Sequence, residues 1–170
     1  RFEKYYSKFA LKIYNYGFRS ASHISCQNNY QYNELRRKFP EKSIDVIYNP
    51  YRIIKQNQMP KKEYISWIGN FRYEKNLPEL AKVASALPHI KFKLAGTRLG
   101  KADKDTEQGL AILEKLDNVD FVGHIGNEKI PEFISKSYCL LNTSRLEGFS
   151  NTFLEAWSVG VPVVTTKNVN

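Results

Sequence analysis

From residue 20 onward the chain alternates short apolar runs with amphipathic stretches, the signature of a parallel sheet wrapped by helices. Ser22 to Cys26 and Ile44 to Tyr48 read as short strands on either side of a helix around Tyr32 to Lys38. Asn49-Pro50 is a turn dipeptide, and the polar stretch Lys55 to Lys62 behind it reads as a linker. A second alternation follows. Strands are expected at Tyr64 to Ile68, Phe92 to Ala95, Val119 to Val122, Tyr138 to Leu141 and Val161 to Val164. Helices are expected between them at Leu77 to Leu87, Thr106 to Leu116, Glu128 to Ser135 and Thr152 to Val159. Five strands alternating with four helices describe an α/β, Rossmann-like fold with an open, doubly wound parallel sheet.

In such a sheet ligands bind at the carboxyl ends of the strands, which directs attention to the loops after Ile68, Ala95, Val122 and Leu141. Three of these begin with glycine, at Gly69, Gly96 and Gly123. The fourth passes Glu147, turns at Gly148 and enters a helix whose first N–H groups fall at about Ser150 to Phe153. A helix start of this kind attracts phosphate through its unpaired N–H groups and positive dipole end. The dipole alone contributes only about 0.3–1 kcal/mol at an exposed site, so a diphosphate also needs a cation. Lys75, in the loop after the first strand of this region, falls on the same rim. Glu147 and Glu155 flank the cradle, and carboxylates accept strong O–H bonds from sugar hydroxyls. Thr152-Phe153-Leu154-Glu155 also has the form of a capping box, in which Glu155 only returns to the helix start.

The first third of the chain has a different character. The formal charge is +9, and residues 1–62 hold 13 basic and 4 acidic side chains while residues 63–170 hold 13 of each. Phe2, Tyr5, Tyr6, Phe9, Ile13 and Tyr16 recur at helical spacing, with Lys4, Lys8 and Lys12 on another face. Such a basic amphipathic helix either packs on a neighbouring domain or meets an anionic membrane surface. No zinc-finger, RNP-like or helix-turn-helix pattern accompanies it, so nucleic acid is not an expected partner. The 42% hydrophobic content excludes a disordered chain, and no run is apolar enough for a bilayer span. Cys26 and Cys139 are too few for a disulfide framework and belong to no Cys/His cluster, which points to a reducing, cytoplasmic setting without a metal site. The sequence opens at Arg1 with no visible signal peptide.

The run Ser144-Arg145-Leu146-Glu147-Gly148-Phe149-Ser150-Asn151-Thr152-Phe153-Leu154-Glu155-Ala156, with Gly160-Val161-Pro162-Val163-Val164 behind it, resembles the E-x7-E signature of glycosyltransferase family 4. Trp67-Ile68-Gly69-Asn70 with Tyr73-Glu74-Lys75-Asn76 resembles that family's glycine and lysine loop. Ile47-Tyr48-Asn49-Pro50 resembles its interdomain junction, and Val119-Asp120-Phe121-Val122-Gly123-His124 its nucleobase-side strand. The resemblance implies a GT-B glycosyltransferase of two Rossmann-like domains. Residues 1–50 would be the tail of the N-terminal, acceptor-side domain, 51–62 an interdomain linker, and 63–170 the C-terminal, donor-binding domain, truncated at its end.

The family transfers a sugar from a nucleotide-diphosphate donor to a glycan or lipid-linked acceptor, with retention and usually without a metal. Carried over by position, Glu147 contacts the donor sugar, Gly148, Phe149, Ser150 and Asn151 offer backbone N–H groups to the phosphates, and Glu155 holds the ribose. Lys75 neutralises the leaving diphosphate, Gly69 lines the donor site, and Gly123, His124 and Ile125 meet the nucleobase. The chain departs from the family in having Asn70 where arginine usually follows the glycine; Arg72 stands two residues on. Asp103-Lys104-Asp105 matches the D-x-D metal–diphosphate pattern of the other large glycosyltransferase fold, but its polar neighbours favour helix capping. For retention, a same-face route in which the leaving phosphate assists the acceptor leaves Glu147 to bind rather than attack. A sugar-nucleotide epimerase or hydrolase, or a non-enzymatic module working through its basic helix, are the competing readings.

Overall fold

The computed structural model describes residues 7–51, 53, 60–98, 100, 102–147 and 150–166. Phe2, Lys4, Tyr5 and Tyr6 of the expected amphipathic helix, most of the linker stretch, and Gly148 and Phe149 of the signature run lie outside the described residues. The chain divides into two compact units, residues 1–50 and 51–170.

In the first unit α1 (Lys8–Ser20), β1 (His23–Cys26), α2 (Asn29–Lys38) and β2 (Ser43–Val46) follow one another. Ser7 caps α1 by accepting from the Ala10 N–H, and Asn28 caps α2 by accepting from the Gln31 N–H. β1 and β2 pair in parallel, Ile24 beside Ile44. Ile24, Cys26 and Ile44 are buried under Phe18, Ala21, Tyr32 and Leu35. His23 has a structural role, bonded to the Ser43 hydroxyl and paired with Asp45.

The second unit contains β3 (Tyr64–Ile68), α3 (Leu77–Ala86), β4 (Phe92–Ala95), α4 (Lys104–Leu113), β5 (Val119–Gly123), α5 (Ile130–Ser135), β6 (Ser137–Asn142), α6 (Asn151–Ser158) and β7 (Val163–Thr165). Its sheet is parallel throughout, in the order β5-β4-β3-β6-β7. Alternation along each strand feeds two cores. Ile65, Trp67, Phe92 and Leu94 face α3 and α4, whose Leu77, Leu80, Leu110 and Leu113 are fully buried. Leu140 faces the other way, into Ile130, Ile134, Ala156, Val159 and Val161 of α5 and α6 and the turn behind α6. Each fully buried aliphatic side chain contributes about 1.5–3 kcal/mol, so both faces of the sheet are strongly held.

Element ends depart from expectation where hydrogen bonds redirect the chain. The last strand starts at Val163 because the Val161 N–H turns back to the Ala156 carbonyl to close α6. The helix expected from Glu128 is a 3-10 turn, Asn127–Lys129, leading into α5, which carries Pro131 in its first turn. α4 begins at Lys104 because Asp103 accepts from the Thr106 N–H at 3.0 Å.

The strand order places the chain reversal between β3 and β6. β4 and β5 grow from one side of β3, while β6 and β7 grow from the other. The crevice at the carboxyl ends of β3 and β6 is therefore the topological switch point of this sheet.

Candidate functional site

The segments that leave β3 and β6 meet at that switch point through their side chains. After β3 the backbone runs through Gly69 to a 3-10 turn, Tyr73–Lys75, closed by Asn76 in the left-handed region at φ 54°. Asn76 then opens α3, with Pro78 in its first turn. After β6 come the buried residues Thr143 and Ser144. The Trp67 indole N–H donates to the Thr143 hydroxyl at 3.1 Å, and that hydroxyl donates to the Lys75 carbonyl at 2.8 Å. The lysine turn is thereby fastened to the β6 loop from inside the core.

Lys75 Nζ lies 2.8 Å from Glu147 Oε2, and both side chains are only 15% exposed. The same carboxylate oxygen accepts from the Ser144 hydroxyl at 3.0 Å and from Asn142 Nδ2 at 3.4 Å. Asn142 in turn accepts the Ser144 N–H at 2.9 Å. Glu147 is thus held in one orientation by three donors, one of them a cation.

Arg145 clamps the arrangement from outside. Its guanidinium reaches Asp105 Oδ2 at 2.9 Å and the Tyr73 carbonyl at 3.3 Å, and lies 4.0 Å over the Tyr73 ring. Its backbone N–H donates to the Glu74 carbonyl. Both acids of the Asp103-Lys104-Asp105 pattern are therefore in use, one as the α4 cap and the other on Arg145.

Beside this pair the three rim glycines run side by side. The Gly69 N–H donates to the Ala95 carbonyl, and the Gly96 N–H to the Gly123 carbonyl at 2.8 Å. Gly96 has φ 154°, and a Cβ there would stand 1.9 Å from the Gly69 carbonyl oxygen, so no side chain fits. The rim presents backbone rather than side chains to whatever lies above it.

α6 enters from Ser150, whose hydroxyl is 2.7 Å from the Thr152 hydroxyl and forms no cap bond to the helix. The Phe153 N–H, expected among the free donors, is taken by the Ser150 carbonyl. With Ser150 at the N-cap, Glu155 is too far along the helix to close a capping box. Its buried Oε2 has no hydrogen-bond partner, and burial pushes its carboxyl up from the ordinary carboxylate range. An orphaned carboxylate oxygen next to a helix start is an acceptor waiting for a hydroxyl.

Other expected positions are less engaged. Asn70 is exposed, and Arg72 is exposed with its Nε 3.7 Å from Glu74 on its own turn. His124 is exposed, whereas Ile125 packs on the α5–α6 core beneath the β5 loop. Asn151 is the first residue of α6. Sequence reasoning gave no part to Asn142, Thr143 and Ser144, or to the Arg145–Asp105 clamp. A polar Asn-Thr-Ser run directly after an apolar strand at the switch point was the available signal.

Comparison with known proteins gives a consistent pattern. The family described as glycosyl transferases group 1 matches residues 51–170. The gpi3 subunit of phosphatidylinositol N-acetylglucosaminyltransferase from Schizosaccharomyces pombe is 23% identical over 169 residues, which span 92% of this chain and 36% of that protein. An uncharacterized glycosyltransferase of Methanocaldococcus jannaschii is 26% identical over 184 residues, 96% of this chain and 44% of its own length. The chain thus spans less than half of these relatives. A TarM mutant from S. aureus, solved with Fondaparinux, alpha-GlcNAc-glycerol and UDP, shares the fold at TM-score 0.75 and 18% identity, over 93% of this chain and 32% of that one. Sucrose-phosphate synthase from Thermosynechococcus elongatus does so at TM-score 0.74 and 20% identity, over 94% and 44%.

Proposed function

We propose that this chain, which belongs to the glycosyl transferases group 1 family and has the GT-B fold, carries the donor half of a retaining glycosyltransferase of hexosyl type. The observation that carries the reading is the meeting of Lys75 and Glu147, 72 residues apart in sequence, at the switch point of the sheet. The diphosphate of a nucleotide sugar lies over the α6 start and takes Lys75 as counter-ion. The ribose gives a hydroxyl to the orphaned oxygen of Glu155, and the base rests near Gly123, His124 and Ile125. Glu147, released from Lys75, accepts from hydroxyls of the transferred sugar while Ser144 and Asn142 keep it oriented.

Transfer builds negative charge on the leaving diphosphate, and a preorganised cation with helix N–H donors stabilises that charge as it forms. The Ser144 and Asn142 donors that stay on Glu147 favour its use as a fixed acceptor over a nucleophile, consistent with a same-face route. No metal is needed to balance the diphosphate in this scheme. The acceptor, a glycan or a lipid-linked sugar, is recognised mainly by the N-terminal domain, to which residues 1–50 belong as a tail.

Two of the similar proteins bear on the choice of donor only by name. TarM was solved with UDP, and the yeast subunit is named for N-acetylglucosamine transfer. The reading is tested by calorimetric titration of UDP and GDP sugars into the chain. Weak binding is expected, with little transfer. Absence of binding to every nucleotide sugar at millimolar concentration, with the fold intact, overturns it.

A further inference from the structure

We propose that Arg145 is a positioning residue for donor binding, one that keeps the lysine turn in register with the Glu147 loop once Lys75 has let go of Glu147. The inference rests on the donor reading above and adds to it a residue that acts through the turn rather than on the nucleotide sugar. A 3-10 turn as short as Tyr73–Lys75 leaves its last carbonyls to be met from outside. The segment after β6 supplies donors to three carbonyls in a row. The Arg145 guanidinium donates to the Tyr73 carbonyl at 3.3 Å, the Arg145 backbone N–H to the Glu74 carbonyl at 2.8 Å, and the Thr143 hydroxyl to the Lys75 carbonyl at 2.8 Å. The same guanidinium stands 4.0 Å over the Tyr73 ring and 2.9 Å from Asp105 Oδ2 in the first turn of α4. One side chain therefore joins the segments after β3 and β6 to the start of α4. It is only 19% exposed, and its partners lie 40 and 72 residues away in sequence. Pairs such as Arg37–Glu34, Lys82–Glu79 and Lys136–Glu132 span a single helical turn at the surface and contribute little.

In the free chain the Lys75–Glu147 pair, at 2.8 Å, also ties the turn to the β6 loop. Donor binding gives that tie up, because Lys75 turns to the diphosphate and Glu147 to the sugar hydroxyls. The tie is lost at the moment when the position of Lys75 matters most, since a cation stabilises developing charge best when it is held in place beforehand. What then fixes the turn is Thr143 from inside the core and Arg145 from outside. Thr143 holds the last residue of the turn and Arg145 the first two. Arginine suits this task because its planar group offers donors in several directions and a face to an aromatic ring, so the carbonyl, the carboxylate and the Tyr73 ring are served together. Arg145 precedes Glu147 by two residues and reaches the residue two before Lys75, so a shift of either segment is carried to the other.

The test is titration of UDP into the isotopically labelled 170-residue chain, read by amide chemical shifts well below the melting temperature, with thermal melts of the ligand-free chain alongside. Arg145→Gln is expected to weaken UDP about tenfold, the scale of one cation–π contact and one charge-assisted hydrogen bond. The ligand-free melting temperature falls only slightly, because the Lys75–Glu147 pair still ties the turn in that state. Arg145→Lys keeps the charge toward Asp105 without the planar fork, and its UDP affinity falls between those of Arg145→Gln and the wild type. Tyr73→Leu weakens UDP to a similar degree and adds little on top of Arg145→Gln, since both substitutions break one contact. Wild-type affinity for UDP in Arg145→Gln, or in Arg145→Lys where the glutamine variant does not fold, overturns the proposal whatever the melting temperature, for Arg145 then only holds the fold. So does a Tyr73→Leu effect that multiplies fully with that of Arg145→Gln. A wild-type chain that binds no UDP overturns the donor reading and this inference with it, whereas wild-type binding that the Arg145 variants leave unchanged overturns this inference alone.

Discussion

The most informative single residue is Glu155. A carboxyl whose folded value is raised holds its proton longer in the native state than in the unfolded one. Its contribution to stability is therefore full below the ordinary carboxylate range and is lost as pH rises through the folded value, where burial penalises the charge. Glu155→Gln is expected to stabilise the chain at neutral pH and to leave it unchanged in acid, as read by thermal melts across pH. The same substitution is expected to weaken nucleotide binding about tenfold, because a charge-assisted bond to a hydroxyl becomes a neutral one. A capping glutamate would behave in the opposite way, losing stability and leaving affinity untouched. At Lys75, replacement by alanine leaves Glu147 with Ser144 and Asn142 but without its cation. The expected cost is about 1–3 kcal/mol by urea unfolding, together with loss of measurable diphosphate binding. The sequence order of glycine loop, lysine and paired glutamates made Lys75, Glu147 and Glu155 legible. The bonds that orient Glu147 were not, because a hydroxyl or amide finds its partner through tertiary contacts that no local pattern encodes. The orphaned oxygen of Glu155 was hidden for the same reason.

At the level of elements, close approach decides what the site can tolerate. A Cβ at Gly109 of α4 would stand 2.7 Å from the Leu77 carbonyl carbon and from the Pro78 nitrogen, where α3 leaves the lysine turn. Gly109→Ala is expected to cost about 1–3 kcal/mol by forcing the two helices apart, with nucleotide affinity falling as the Lys75 turn moves. The α4 start separates two accounts of Asp103. As a cap its loss in Asp103→Ala costs about 1 kcal/mol and divalent cations make no difference to binding; as a metal ligand its loss would abolish a cation dependence. Strand existence and order of elements were readable because parallel strands buried on both faces form apolar runs such as Tyr64–Ile68 and Phe92–Ala95. Element ends were less so: Val161 is apolar like a strand residue, yet its N–H closes a helix.

For the molecule as a whole, the strand order is what turns a set of motifs into a site. Lys75 and Glu147 come together because the strand order reverses at β3, with β6 added on the side opposite β4, and no spacing in the sequence states that reversal. The N-terminal unit was legible in composition, through its basic and aromatic excess, but the contact of Phe18 with Phe39 that fastens its first helix is a matter of tertiary packing. The central claim, that a nucleotide diphosphate docks over the β3–β6 crevice, is tested most directly by mapping amide chemical shifts in the labelled chain as UDP is titrated. The account predicts that the largest changes cluster at Gly69, Lys75, Gly123 to Ile125 and Asn151 to Glu155, and that Lys75→Ala removes them. Changes centred on α4 or on the first unit, with this cluster silent, would contradict it.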